Sequence, residues 1–336
     1  MRVSFLNYIS RENKKPSLAQ SQPEWAQRLN IDFHVVSKCP ICGSDSFTLQ
    51  STNKTMDATA DFRLDIRSCN KCYHWHTNPN PSVELLAHLY ATASPAVIGA
   101  NWDLKVKSQN VKGTLASDDH WIVSRLLSQT AGNFLEVGSG DGSLVRKMRS
   151  LGWNSWGVDL GSYAAGYQIV TGVSQITLDK KFDVIVFQDV LEHVSNPIEE
   201  MSVYTPYLSN DCLLFVTVPW SESKRAKVLG GDWDMVKPLG HLHYFSKISA
   251  KVTLQKNKFD AIEMFPVNIY GFQARSVTFA FLSLLAGLLR QSRWRELRQR
   301  LKQLRSLVAI YPEKPLGDQL YVVGKKTTVE EHLPIV

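Results

Sequence analysis

The sequence predicts an open, doubly wound α/β sheet that is preceded by a small cysteine-rich domain. From Asn133 onward, short apolar strand-like segments alternate with amphipathic helical segments, and a glycine-rich turn follows the first of these strands. Two CxxC pairs lie upstream of this region. With 336 residues, 44% hydrophobic and 21% charged, the chain is long enough for one large domain and a smaller one.

The upstream cysteines form two pairs that are separated by 26 residues. Zinc prefers four thiolate or imidazole ligands in a tetrahedron, so two CxxC turns predict a structural zinc ion. The intervening "DFRLDIRS" alternates like a strand and predicts a hairpin between the pairs. His74 and His76 are alternative ligands that we expect to be bystanders. The predicted ligands are Cys39, Cys42, Cys69 and Cys72.

The glycine-rich turn joins the strand "NFLEV" to the helical segment "SLVRKMRSLGW". Gly138, Gly140 and Gly142 lack a β-carbon, so a ligand can approach the backbone and the N–H groups at the start of the helix. Such a loop can hold a dinucleotide pyrophosphate. The spacing is GxGxG rather than GxGxxG, however, and Glu136 at the strand end favours a cationic or hydroxyl-bearing ligand.

Further strands complete the predicted sheet. "WNSWGVDL" ends on Asp159, where a carboxylate can accept both hydroxyls of a ribose. "KFDVIVFQDV" and "DCLLFVTVP" are apolar in the manner of buried parallel strands, and "AIEMFPVN" and "DQLYVVGKK" supply two more. In such a sheet, ligands bind at the carboxyl ends of the strands.

Three of these motifs, "LEVGSGDGSL", "GVDL" and "FDVIVFQDVLEHV", resemble the Rossmann-like class I S-adenosylmethionine (SAM)-dependent methyltransferases, over roughly residues 131–326. The segment "GHLHYFS" narrows the resemblance to the branch with ubiquinone-type and sugar C-methyltransferases, and the CxxC region is similar to a zinc-binding segment found in a subset of that branch. The resemblance implies that Glu136 and the three glycines cradle the methionine end of SAM. It also implies that Asp159 takes the ribose hydroxyls.

Histidines are the candidate bases, because imidazole titrates near neutral pH. His241 and His243 lead, and His193 is third; the alternative is that each is a loop or capping residue. In "DVLEH", Asp189, Glu192 and His193 stand at i, i+3 and i+4, which would also suit a Mg²⁺ ion such as some ubiquinone-type O-methyltransferases use. The favoured alternative is that Asp189 borders the cofactor or substrate, while Glu192 and His193 make hydrogen bonds that fix the loop.

Two basic segments bear on the acceptor. The long connection at 219–243 is typical of an acceptor-sorting lid, and its Lys224, Arg225 and Lys227 would suit a phosphate or a solvated loop. Residues 290–305 hold seven Arg or Lys and one Glu, which is +6 of the chain's net +7. Together with the apolar residues before it, 279–308 predicts packing against the sheet or a second subunit, or peripheral contact with an anionic membrane.

We predict six segments: an N-terminal extension (1–34), a zinc-binding segment (35–80), a helical linker (81–130), a methyltransferase core (131–274), a basic helical insertion (275–314), and a last strand with its tail (315–336). The predicted function is SAM-dependent methylation of a small molecule, a sugar or sugar nucleotide, including a lipid-linked one, in polysaccharide or secondary metabolism. The alternatives are an RNA or protein methyltransferase and a non-catalytic scaffold. Nucleic acid is disfavoured because aromatic residues do not interleave with the basic ones. The expected location is cytoplasmic, including the inner membrane face; the oligomeric state is left open.

Overall fold

The computed structural model describes residues 33–54, 63–86, 119–160, 168–177, 181–237, 239–267 and 317–327. Most of the predicted N-terminal extension and helical linker, and the whole predicted basic helical insertion, lie outside the described residues. Within the described part of the chain, no helix is both long and apolar enough to span a bilayer.

A seven-stranded sheet forms the larger layer, in the order β12-β13-β10-β9-β6-β7-β8. Strands β6 to β10 pair in parallel with one another, and β13 is antiparallel to both β10 and β12. Parallel strands with intervening helices give the predicted doubly wound sheet. The strands are β6 (Asn133–Val137), β7 (Asn154–Val158), β8 (Ile169–Val170), β9 (Phe182–Gln188), β10 (Leu208–Pro219), β12 (Phe259–Val267) and β13 (Gln319–Lys326).

Helices cover both faces of this sheet because each has an apolar stripe. On one face, α1 (His120–Leu126) and α2 (Ser143–Ser150) bury Ile122, Leu144 and Met148 against Phe134. On the other, α3 (Pro197–Tyr204) and α5 (Lys247–Lys256) pack against the sheet. Each fully buried side chain of this size stabilises the fold by roughly 2 kcal/mol. A short helix, α4 (Lys224–Leu229), follows β10.

The cysteine-rich region forms a four-stranded antiparallel sheet in the order β11-β4-β3-β2. Its strands are β2 (Phe47–Lys54), β3 (Arg63–Cys69), β4 (Trp75–Asn78) and β11 (His243–Tyr244), and β1 (Phe33–His34) pairs separately with β5 (Asn80–Pro81). Strands β2 and β3 confirm the predicted hairpin. Strand β11 comes from the "GHLHYFS" segment, 165 residues beyond Asn78, so the two sheets are joined by a strand that the sequence did not predict.

Further hydrogen bonds fasten the cysteine-rich sheet to the larger domain. The Ser246 hydroxyl donates to the carbonyl oxygen of Cys72 at 2.5 Å, and Lys256 Nζ donates to that of Ile41 at 2.7 Å. The Thr77 amide donates to Leu242 at 3.0 Å. Ser246 also caps α5, in a capping box with Ser249.

Candidate active site and cysteine cluster

The four predicted zinc ligands converge in one cluster. The sulfurs of Cys39 and Cys72 lie 3.6 Å apart, those of Cys42 and Cys69 lie 3.5 Å apart, and all four lie within 4.8 Å of one another. Zinc–sulfur bonds of about 2.3 Å in a tetrahedron place sulfurs about 3.8 Å apart, so the cluster fits zinc. The contact with Cys72 also lowers the pKa of Cys39 to about 5, which favours the thiolate that a metal requires.

The backbone explains how both CxxC turns close. The amide of Gly43 donates to Cys39, and that of Tyr73 donates to Cys69, each at 2.9 Å. Gly43 has φ of 77°, and Tyr73 takes the same left-handed region at 56° without being a glycine. His74 and His76 are not among the clustered ligands.

The glycine loop leaves the end of β6 in a left-handed conformation, with φ of 70° at Gly138, 52° at Gly140 and 73° at Gly142. A β-carbon at Gly138 would collide with Val190, whereas one at Gly140 would meet no atom of the described residues within 4 Å. The backbone at Gly140 therefore faces open space, as a ligand cradle requires.

Carboxylates surround this open space. Asp159 follows β7 and accepts a hydrogen bond from the Gly140 amide at 2.7 Å. Glu136 is buried, and its Oε2 has no hydrogen-bond partner among the described residues. Burial raises the pKa of Glu136 well above its usual range, and the negative charges of Asp119, Asp159 and Asp141 add to the shift. The loop is therefore arranged to receive a positively charged group.

Asp189 lies at the end of β9, next to this loop in the sheet order. Its φ is 53°, and its Oδ1 accepts a hydrogen bond from Gln319 Nε2 at 2.6 Å. Its own amide donates to Thr217 at 3.1 Å. These contacts fix Asp189 between the carboxyl end of β9 and the start of β13.

Two of the candidate histidines come together beyond Asp189. His193 and His241 pack edge to face with ring centroids 4.8 Å apart, and Glu192 joins them so that one ligand atom from each residue lies within 4.8 Å of the others. Burial lowers the pKa of His193 to about 4 and that of His241 well below its usual range, so both rings are neutral. We call Glu192, His193 and His241 the acceptor-end cluster.

His243 belongs to a different group. It is fully buried in β11 opposite His76, and its Nδ1 lies 3.1 Å from Nε2 of His74. The structure therefore places the two leading candidate bases, His241 and His243, in different groups. The predicted Mg²⁺ set is also different, because the metal-capable group includes His241 in place of Asp189.

Residues 119–264 match a family model described as a methyltransferase domain. These residues form a methyltransferase domain. No curated protein matches the sequence.

Several solved structures are similar to this chain. One is a putative methyltransferase in complex with the Haloferax volcanii methyltransferase activator Trm112. It is 12% identical, with a TM-score of 0.45, and the match covers 69% of this chain and 96% of that chain. The plantazolicin methyltransferase BpumL, solved with S-adenosylhomocysteine (SAH), is 17% identical, with a TM-score of 0.42, and the match covers 72% of this chain and 93% of that chain. A Burkholderia thailandensis 1,6-didemethyltoxoflavin N1-methyltransferase is 13% identical, with a TM-score of 0.43, and the match covers 82% of this chain and 99% of that chain.

Sequence reasoning missed one polar residue of the methyltransferase site. Asp119 is buried before α1; its carboxylate accepts hydrogen bonds from Gln188 Nε2 at 3.2 Å and from the Ser143 hydroxyl at 3.4 Å. The signal available was an acidic residue directly before an amphipathic helix, but that pattern also fits an ordinary helix start.

The connection after β10 is held by ion pairs that the sequence did not predict. Arg225 contacts carboxylate oxygens of Asp318 and Asp234, each at 2.7 Å, so its guanidinium is already engaged. Arg225 was one of three basic residues that would suit a phosphate. In the structure it instead joins α4 to Asp318, the residue before β13.

Proposed function

We propose that the chain methylates a small-molecule acceptor, a sugar or sugar nucleotide, with SAM bound by Glu136, Gly138, Gly140, Gly142 and Asp159 and bordered by Asp189. The observation that carries the cofactor assignment is the open backbone at Gly140 between the carboxylates of Glu136 and Asp159. SAM carries a positive α-ammonium and sulfonium, which suit an electronegative loop, and ribose hydroxyls, which suit Asp159.

Bound SAM supplies a methyl group that is already activated for nucleophilic attack. The chain therefore has to align the acceptor, exclude water and handle the acceptor's proton. His193 and His241 support that last role, because both are neutral and both lie beside Glu192 beyond Asp189. We assign no such role to His243, whose Nδ1 contacts His74 in the cysteine-rich sheet.

The position of the cysteine cluster favours a small acceptor over RNA or protein. One edge of the cysteine-rich sheet pairs with β11, and Cys72 and Ile41 accept hydrogen bonds from the methyltransferase domain. A zinc ion held there would fix this sheet against the domain rather than present it to a macromolecule. The sugar class itself rests on the resemblance of this segment to those of sugar methyltransferases.

Calorimetric titration of SAH into the zinc-loaded protein tests the cofactor assignment. We expect micromolar binding that Asp159→Ala weakens on the order of tenfold, because hydrogen bonds to a charged group contribute about 1.5–3 kcal/mol. Asp211→Ala is the matched control, since its carboxylate is 86% exposed in β10. An absence of heat from folded wild-type protein would support the scaffold alternative.

The acceptor class is tested with labelled SAM and three groups of compounds: sugar nucleotides, phenols and RNA. We expect transfer of the label to at least one sugar nucleotide. Labelling of RNA alone, with binding that weakens steeply as salt rises, would favour the macromolecular alternative.

A further inference from the structure

The acceptor-end cluster has the composition and spacing of a metal site. Glu192 Oε1 lies 3.8 Å from His193 Nε2, and one ligand atom of His241 lies within 4.8 Å of both residues' ligand atoms. Ligand atoms bonded to one transition-metal ion at about 2.1 Å lie about 3.0–3.4 Å apart. A small contraction of the three side chains would therefore close the site around an ion.

Backbone carbonyls fix the tautomer of the two imidazoles in the form that metal ligands use. His193 Nδ1 lies 2.6 Å from the carbonyl oxygen of Gly240, and His241 Nδ1 lies 2.8 Å from that of Met235. A carbonyl can only accept, so each Nδ1 carries the proton and each neutral ring has its lone pair on Nε2. A histidine that binds a metal commonly donates its other N–H to a backbone carbonyl in this way.

Glu192 provides an independent sign of a missing cation. Its side chain is buried, and its Oε2 has no hydrogen-bond partner among the residues that the structure describes. Its main chain is fixed, since its carbonyl accepts the Leu242 amide at 2.7 Å. An ionised carboxylate buried without a partner is costly, and a divalent cation would offset that cost.

We propose that Glu192, His193 and His241 bind a divalent first-row transition metal, separate from the ion of the cysteine cluster. Two imidazoles and one carboxylate suit zinc, iron, cobalt or nickel, whereas magnesium prefers oxygen ligands and retains most of its waters. Three protein ligands leave coordination positions for an acceptor oxygen.

The role of this ion rests on the proposed function. The ion would lower the pKa of an acceptor hydroxyl, so that His193 and His241 would promote loss of the acceptor's proton as ligands of the ion rather than as free bases. The ion would thereby select acceptors that bear a hydroxyl at the reacting position or next to it.

Cobalt titration tests the site without relying on activity. Protein that retains zinc in the cysteine cluster is first exposed to a mild chelator and then titrated with Co²⁺, while visible absorption and bound cobalt are followed. We expect one equivalent to bind with d–d bands and without thiolate-to-cobalt charge transfer, because the ligands are nitrogen and oxygen. Mg²⁺ at the same concentration should not displace it.

Three variants decide which residues bind the cobalt. Glu192→Gln keeps the side-chain shape, and it and His241→Ala should each weaken cobalt binding at least tenfold. His34→Ala removes an exposed imidazole elsewhere and should bind as the wild type does. If His241→Ala fails to fold, the near-isosteric Glu192→Gln decides alone.

Three results would each overturn the metal site: no binding of cobalt beyond the zinc already present, cobalt binding by Glu192→Gln equal to that of the wild type, or displacement of the cobalt by Mg²⁺. SAH titration of the same samples separates this result from the proposed function, because SAH binding without cobalt binding overturns the metal site alone. Loss of SAH binding in folded wild-type protein would instead overturn the proposed function.

Discussion

Glu136, which we propose contacts the cofactor, is expected to lower the stability of the ligand-free fold. Its carboxylate is buried near three other carboxylates, and its raised pKa means that the folded protein holds a proton which the unfolded chain releases more easily. The stability of the ligand-free protein therefore falls as pH rises from the unfolded value near 4.5 towards the higher folded value.

Glu136→Gln should consequently raise the thermal stability of the ligand-free protein at neutral pH, by about 1 kcal/mol, and weaken SAH binding about tenfold. The stability gain should disappear in acid, where the wild-type carboxyl is also neutral in both states. Thermal unfolding at several pH values and calorimetry measure the two effects. An unchanged SAH affinity would show that the cofactor does not use this carboxylate.

At the residue scale, the sequence predicts a position in the candidate site only where the local backbone determines that position. A turn after a buried strand required the left-handed backbone at Gly138, Gly140 and Gly142, so the spacing predicted the loop. The position of His243 depended on a tertiary contact with His74, 169 residues away in the chain. Leu127 fitted the apolar stripe of α1 but is 64% exposed, because the helix ends one residue earlier.

At the scale of elements, β11 connects the acceptor-end cluster to the cysteine-rich sheet. His241 precedes this two-residue strand, and Ser246 follows it with a hydroxyl that both caps α5 and donates to Cys72. Periodicity predicted the long strands of the large sheet, which are continuous apolar runs. It did not predict β11, because two residues carry no periodic signal.

Ser246→Ala should lower the free energy of unfolding by about 1–2 kcal/mol and should also weaken zinc retention in a chelator competition. Ser223→Ala is the matched control, because Ser223 is equally buried and caps α4 by accepting from the Ala226 amide at 3.0 Å. The control should lose similar stability and keep its zinc affinity. Equal zinc retention by both variants would mean that the Cys72 contact does not support the cysteine cluster.

At the scale of the whole molecule, the alternation of strands and helices predicted the doubly wound sheet, and the two CxxC pairs predicted the cysteine-rich sheet. The way in which these sheets meet could not be predicted, since it depends on hydrogen bonds between distant segments such as Thr77 with Leu242. The shared edge makes the cysteine-rich sheet a support for the segment that carries His241.

Loss of the zinc site should therefore be felt inside the methyltransferase domain. Cys39→Ser should lose zinc, lower the melting temperature, and speed hydrogen exchange at the amides of Thr77 and Leu242, which bond across the junction, while the β6 amides stay protected. Cys212→Ser makes the same replacement at a buried cysteine in β10 outside the cluster, so it should keep zinc and slow exchange at the junction. If Cys39→Ser loses zinc while the Leu242 amide stays as protected as in the wild type, the cysteine-rich sheet does not hold the acceptor-end segment in place. If the β6 amides of Cys39→Ser exchange as quickly as those of Thr77 and Leu242, zinc supports the whole fold. The loss of protection is then not local to the segment that carries His241.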